Sequence, residues 1–246
     1  AKYDAAGNAG IINIRLKKNK AFGTNGTVNA GYNIGVYPKY NGGINFNHRN
    51  KGINVFGNYN YNNTKQNNEF NLYRTVLDSV FDGRTKMIFD NISHSFKGGI
   101  DFFLNNKHTL GVLINGNLAN TEFNNNSRTP ISYKPTGVVN RILTANNTND
   151  MSRDNVNFNL NYRFADTAGH ELNIDADYGF FHNDGNQLQP NYYFDASGNN
   201  QISQVIYRFI APTDINIYTL KADYEQNFKK GKLGLGAKTT VIRTEN

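Results

Sequence analysis

Val156-Asn157-Phe158-Asn159-Leu160-Asn161-Tyr162-Arg163-Phe164 decides how this chain is read. One parity is Val, Phe, Leu, Tyr, Phe, and the other is Asn, Asn, Asn, Arg. Successive side chains of an extended chain point to opposite faces, so this is a strand with one apolar and one amide-rich face. A soluble sandwich could carry such a strand once. Here the pattern recurs about nine times in 246 residues, with short turns and long polar segments alternating between strands. That predicts an all-β chain forming a transmembrane antiparallel up-and-down β-barrel, apolar towards lipid and polar towards a lumen.

Composition agrees. The hydrophobic fraction of 38% lies below the ~45–50% of globular domains, a figure that also counts Gly. Mean hydropathy is −0.64 and 44 residues are Asn, yet there are 15 Tyr and 17 Phe. A disordered chain would lack those aromatics. No apolar run approaches the ~18–20 residues of a membrane helix, but a membrane strand needs only about 9–11. Cys is absent, which excludes disulfides and thiolate metal sites. The net charge of +7 comes from dispersed Lys and Arg. Lys51, Lys107, Lys229, Lys230 and Lys232 fall in predicted short turns, and no basic stripe runs beside aromatics, so no nucleic-acid partner is expected. The chain starts at Ala1 with no signal peptide and a strand already under way, and it reads as an internal fragment.

The predicted wall strands are 26–34, 40–49, 53–64, 89–104, 108–120, 156–164, 171–181, 215–228 and 232–242. Tight turns are expected at 50–52, 105–107, 166–169 and 229–231, all on one rim. Long loops are expected at 65–86, 122–151 and 182–212 on the other. That asymmetry matches the short periplasmic turns and longer extracellular loops of outer-membrane barrels. Nine is an odd count, so the wall is expected to continue past residue 246.

Residues carrying chemistry are few. The five His (His48, His94, His108, His170, His182) form no ligand-spaced pair and read as interfacial side chains. Asp175, Asp177, Asp223 and Glu225 share the lumenal parity. Two carboxylates about 5–9 Å apart could do acid–base work, but polar lining paired with Lys221 or Arg163 is the simpler reading. The Gly7 and Gly10 spacing fits no nucleotide fingerprint and reads as a tight turn. With no nucleophile–base pair and no phosphate loop, the chain is expected to be a non-enzyme without a cofactor. Tyr192, Tyr193 and Phe194, in the third long loop, are candidate ligand-binding residues, or else an aromatic patch packing one loop on another.

The N-terminus adds a resemblance. Ala1-Lys2-Tyr3-Asp4-Ala5-Ala6-Gly7-Asn8-Ala9-Gly10-Ile11-Ile12-Asn13-Ile14, followed by Lys17-Lys18-Asn19-Lys20, resembles the last plug strand and linker of TonB-dependent outer-membrane receptors, particularly the Bacteroidetes-type β-barrel family. The match covers under a tenth of the chain. It implies that residues 1–20 end a plug domain and that residues 21–246 begin a 22-stranded barrel. It further implies energy-coupled uptake of a scarce nutrient such as a metal chelate, cobalamin or an oligosaccharide. The implied partners are outer-membrane lipid and lipopolysaccharide, the TonB complex and a surface lipoprotein. A passive porin or adhesin-like barrel is the alternative. Asp166-Thr167-Ala168 and Asp78-Ser79-Val80 match the short O-glycosylation pattern of Bacteroidetes envelope proteins, with Thr167 and Ser79 as acceptors.

Overall fold

A computed structural model describes residues 22–246. The predicted plug strand and linker, residues 1–20, lie outside them. Ten strands form one antiparallel sheet: β1 (Gly23–Ile34), β2 (Pro38–Arg49), β3 (Ile53–Val76), β4 (Ser79–Phe103), β5 (His108–Tyr133), β6 (Val139–Ala165), β7 (His170–Asp195), β8 (Gln201–Ile210), β9 (Thr213–Phe228) and β10 (Gly231–Glu245). Neighbours in space are neighbours in sequence, except that β7 pairs with both β8 and β9. There is no helix among the described residues. The sheet is open, with β1 and β10 at its edges.

Strands β8 and β9 are collinear. Asn186 pairs with Ile210 and Asn183 with Thr213, so β7 keeps one register across both. Pro212 sits at the break, where a residue without an N–H cannot donate to the ladder. Ala211 N still donates to Gly185 O at 3.2 Å. Ten elements therefore make a nine-strand meander, the number expected.

The register also sets the tilt. Carried strand by strand onto β5, the midpoints of the four short turns fall at about positions 108, 106, 104 and 102. The rim thus steps about one residue per strand, or ~3.3 Å of rise over ~4.8 Å of strand spacing, a tilt of about 35°. That is the tilt of outer-membrane barrel strands.

The apolar parity has nothing packed on it. Val112 is 44% exposed, Leu160 50% and Leu220 52%, and these three share one row across the wall. Among the described residues only Val80, Ile131, Ile142 and Ala145 form a buried hydrophobic core, none of them on the apolar band. A sandwich would bury this face. A continuous apolar surface this large, left open, is made for lipid.

The three long loops are a correction. Residues 65–86 are the upper ends of β3 and β4, joined only by Leu77 and Asp78. Residues 122–151 continue β5 and β6 around a turn at 134–138. Residues 182–212 continue β7 into β8 around a turn at 196–200. The wall therefore rises far above the band as tall hairpins. Above the membrane both faces meet water, so the two-faced alternation that marks a membrane strand disappears while the ladder goes on. Pro130 and Pro190 sit inside these strands, at the rungs where pairing is interrupted.

Candidate functional site

On the polar parity, the lower wall carries a hydrogen-bonded lining. Asn159 donates to Asp177 (2.7 Å), Arg163 pairs with Glu171 (3.1 Å), Lys221 pairs with Asp223 (2.9 Å), and Lys232 pairs with Glu225. Asp175 stands opposite Lys221. The four predicted carboxylates thus share one face and are engaged by cations and amides, as lining. The arrangement suits a wet wall that hydrated solutes can brush past.

All five His lie on the apolar parity, at the band's rims. His108 Nδ1 meets Tyr162 OH (2.6 Å) and His94 Nδ1 meets Tyr59 OH (2.7 Å). Phe158, Tyr178 and Tyr218 stack across three strands, with centroids 6.1 and 5.0 Å apart. The Tyr178 row lies six residues from Phe164, about 20 Å along the strand and about 16 Å in height at this tilt. It therefore sits inside the apolar band. The band's upper rim is the next polar row, Asp154, His182 and Asp214, where His182 Nδ1 pairs with Asp214 (2.6 Å). This hydrogen bond raises the imidazole's pKa, against opposing desolvation, with help from the charges of Asp154 and Asp184.

One hollow of the tall hairpins lies on the outer parity. A cavity of about 670 Å³ is lined by Glu69, Arg84, Lys86, Arg128, Ile142 and Phe194, together with Asn, Ser and Thr side chains. The register makes the row explicit: Asn71, Arg84, Arg128, Thr144 and Tyr192 are successive cross-strand partners. The row below is Glu69, Lys86, Asn126 and Asn146. Ser197 and Gly198 close one side.

The closing turn is strongly organised. The Asp195 carboxylate accepts from Ser197 Oγ (2.7 Å), Asn200 Nδ2 (2.7 Å) and Asn199 N (3.2 Å). These bonds hold its pKa down at about 2, the Ser197 hydroxyl contributing most. Gly198 takes φ +78°, and a Cβ there would lie 3.3 Å from Ile142 Cδ1. The positive φ favours glycine, and a side chain there would also press on Ile142.

The structure divides the predicted aromatic triplet. Tyr192 and Phe194 share the outer parity, with Phe194 lining the cavity, while Tyr193 points to the opposite face. All three are in β7 rather than in a loop. Thr167 is exposed in the turn after β6, and Ser79 is half-buried at the start of β4. Arg84, Lys86 and Arg128 escaped notice in the sequence because they fell in segments read as loops. Pairing the two hairpins in register would have brought Arg84 opposite Arg128.

Strand number, tilt, lipid-ready face and wet face together define a multi-pass outer-membrane β-barrel wall. The model of the outer membrane protein beta-barrel family matches residues 163–246, the end of β6 through β10. No curated protein sequence matches the chain.

Proposed function

We propose that this wall belongs to a TonB-dependent receptor that takes up a scarce nutrient such as a metal chelate, cobalamin or an oligosaccharide. The observation that carries the reading is the segment Ala1-Lys2-Tyr3-Asp4-Ala5-Ala6-Gly7-Asn8-Ala9-Gly10-Ile11-Ile12-Asn13-Ile14 with its Lys-rich continuation, placed before the first wall strand. A plain porin has no use for a plug strand there. The hydrogen-bonded polar face supports the same reading, since a lumen that accepts large hydrated solutes needs a wet lining.

Conductance tests it. The full-length protein in a planar bilayer should pass little steady current until urea loosens the plug, and immobilised TonB periplasmic domain should retain it. An open channel before urea, with no retention on TonB, would overturn the proposal in favour of a passive barrel.

A further inference from the structure

We propose that the lumenal side of the tall hairpins binds an uncharged, extended stretch of peptide that carries two apolar side chains on one face. The strip concerned runs from Thr121 to Ser127 on β5, with its cross-strand partners from β3 to β8. None of the lumenal side chains in these rows is charged. The outer side chains of the same stretch include Lys65, Glu69, Lys86, Asp90, Glu122 and Asp150. Charge is thus sorted to one face of a wall that water wets on both sides, so hydration does not account for the sorting. A charged ligand would shed water on the lumenal face with no counter-charge in return.

What the strip offers instead is two apolar clusters with amides between them. Phe89 and Phe123 lie with ring centroids 4.5 Å apart, and Met87 is next on the same face of β4. A cavity of about 370 Å³ beside Phe89, lined by Gln66, Asn68, Asn91 and Thr121, has room for an apolar side chain. Tyr207 and Phe209 stack at 6.2 Å, both half-exposed, with Val205 next on the same face of β8. Phe123 and Phe209 share a row, with Asn149 and Gln187 between them. Three strand spacings separate the two, about 14 Å, which about four residues of extended chain cover. The first and fifth side chains of such a peptide face the same way, so one enters each cluster. Its backbone then crosses Asn149 and Gln187, whose amides both donate and accept, as a peptide group requires. Met87 and Val205 favour a peptide over a sugar, because a thioether and a branched alkyl group adapt to apolar side chains and offer little to hydroxyls.

Position fits the role. Phe123 lies five residues above Leu118, the β5 member of the band's upper-rim row, about 16 Å along the strand and about 13 Å in height. The strip therefore stands above the membrane on the wet face, where a solute entering the lumen meets it first. The assignment rests on the uptake reading, for which it names the class of solute.

The test uses full-length protein in detergent without TonB, so a failure here and a failure of TonB retention are separate results. The probes are acetyl-Leu-Gly-Gln-Gly-Leu-amide, acetyl-Leu-Gly-Leu-Gly-Gln-amide, acetyl-Asp-Gly-Gln-Gly-Asp-amide and maltopentaose, each titrated calorimetrically. The first should bind at least about tenfold more tightly than each of the others. F123S should lower its affinity at least about fivefold while keeping heat-modifiable gel mobility. Q187E, which puts a charge in the strip and leaves both apolar clusters intact, should do the same and keeps the test decisive if F123S misfolds. E122Q, next to Phe123 but on the outer face, should leave the affinity unchanged. Unchanged affinity in folded F123S and Q187E would overturn the proposal. So would an equal loss in E122Q, or no preference for the first peptide. Tighter binding of maltopentaose would overturn it in favour of a sugar.

Discussion

Replacing Leu160 by Arg puts a charge at the centre of the apolar band. Leu160 lies four residues from Val156 and four from Phe164, about 13 Å along the strand and about 11 Å in height from either end. Its side chain is 50% exposed, with Val112 and Ala176 as cross-strand partners, none of which can solvate a guanidinium. An Arg at the midplane of a lipid face costs about 2–4 kcal/mol, against about 0–1 near the interface. L160R should therefore lower the folding equilibrium by roughly 30- to 1,000-fold, and F164R by less than about tenfold. The neighbouring change N159R, on the wet face, should cost little, because a water-filled lumen keeps the charge hydrated. The assay is the fraction of full-length protein folded into lipid vesicles against urea, read by heat-modifiable gel mobility. Equal sensitivity at Leu160 and Asn159 would refute the assignment of faces, and equal sensitivity at Leu160 and Phe164 would refute the position of the band.

Further outcomes follow from other parts of the molecule. A thiol reagent added to intact cells should label L77C, at a hairpin tip where Leu77 is 90% exposed, and should not label N106C on the short-turn rim. Leu77 holds φ 53°, a region that costs a branched residue about 1–2 kcal/mol, so L77G should raise unfolding resistance slightly, read in the same urea assay. Asp195, held at about 2, adds stability that is complete above its ordinary value and is lost as pH falls through about 2. Pepsin should then spare the 196–200 turn near pH 3 and cut it near pH 1.5, about the window this shift opens, while D195N is cut at both. His182 is raised above its ordinary value by Asp214, so its contribution is present below that value and fades as pH rises through the raised one. D214N should lower the His182 titration midpoint, measured by NMR of labelled histidine in nanodiscs.

Legibility in the sequence follows the solvent boundary. Where strands cross the apolar band, lipid on one side and water on the other impose a period of two, and residues 156–164 announce their fold unaided. The nine-strand count, the four turns on one rim and the outward His residues come from the same signal. Above the band that asymmetry ends. Lys65-Gln66-Asn67-Asn68-Glu69 is polar on both faces, so it reads as a loop, although each residue has a partner on β4. Pairing there is supplied by the neighbouring strand, by turns such as that anchored by Asp195, and by local burial at Val80, Ile131, Ile142 and Ala145. The cavity was invisible for the same reason. Its lining joins Arg84, Arg128 and Phe194 from three strands, and only the register brings them together.

The central claim is that residues 156–164 line one lipid face and one water face of a membrane wall. Single-cysteine spin labels walked through 150–165 of the full-length protein in vesicles measure this directly, and none of these 246 residues is a competing Cys. Oxygen collisions should peak at 156, 158, 160, 162 and 164, and a water-soluble nickel chelate should reach 157, 159, 161 and 163. Below position 155, on the tall hairpins, the nickel chelate should reach both parities. Collision profiles without a two-residue period across 156–164, or with the chelate favouring the even positions, would contradict the account.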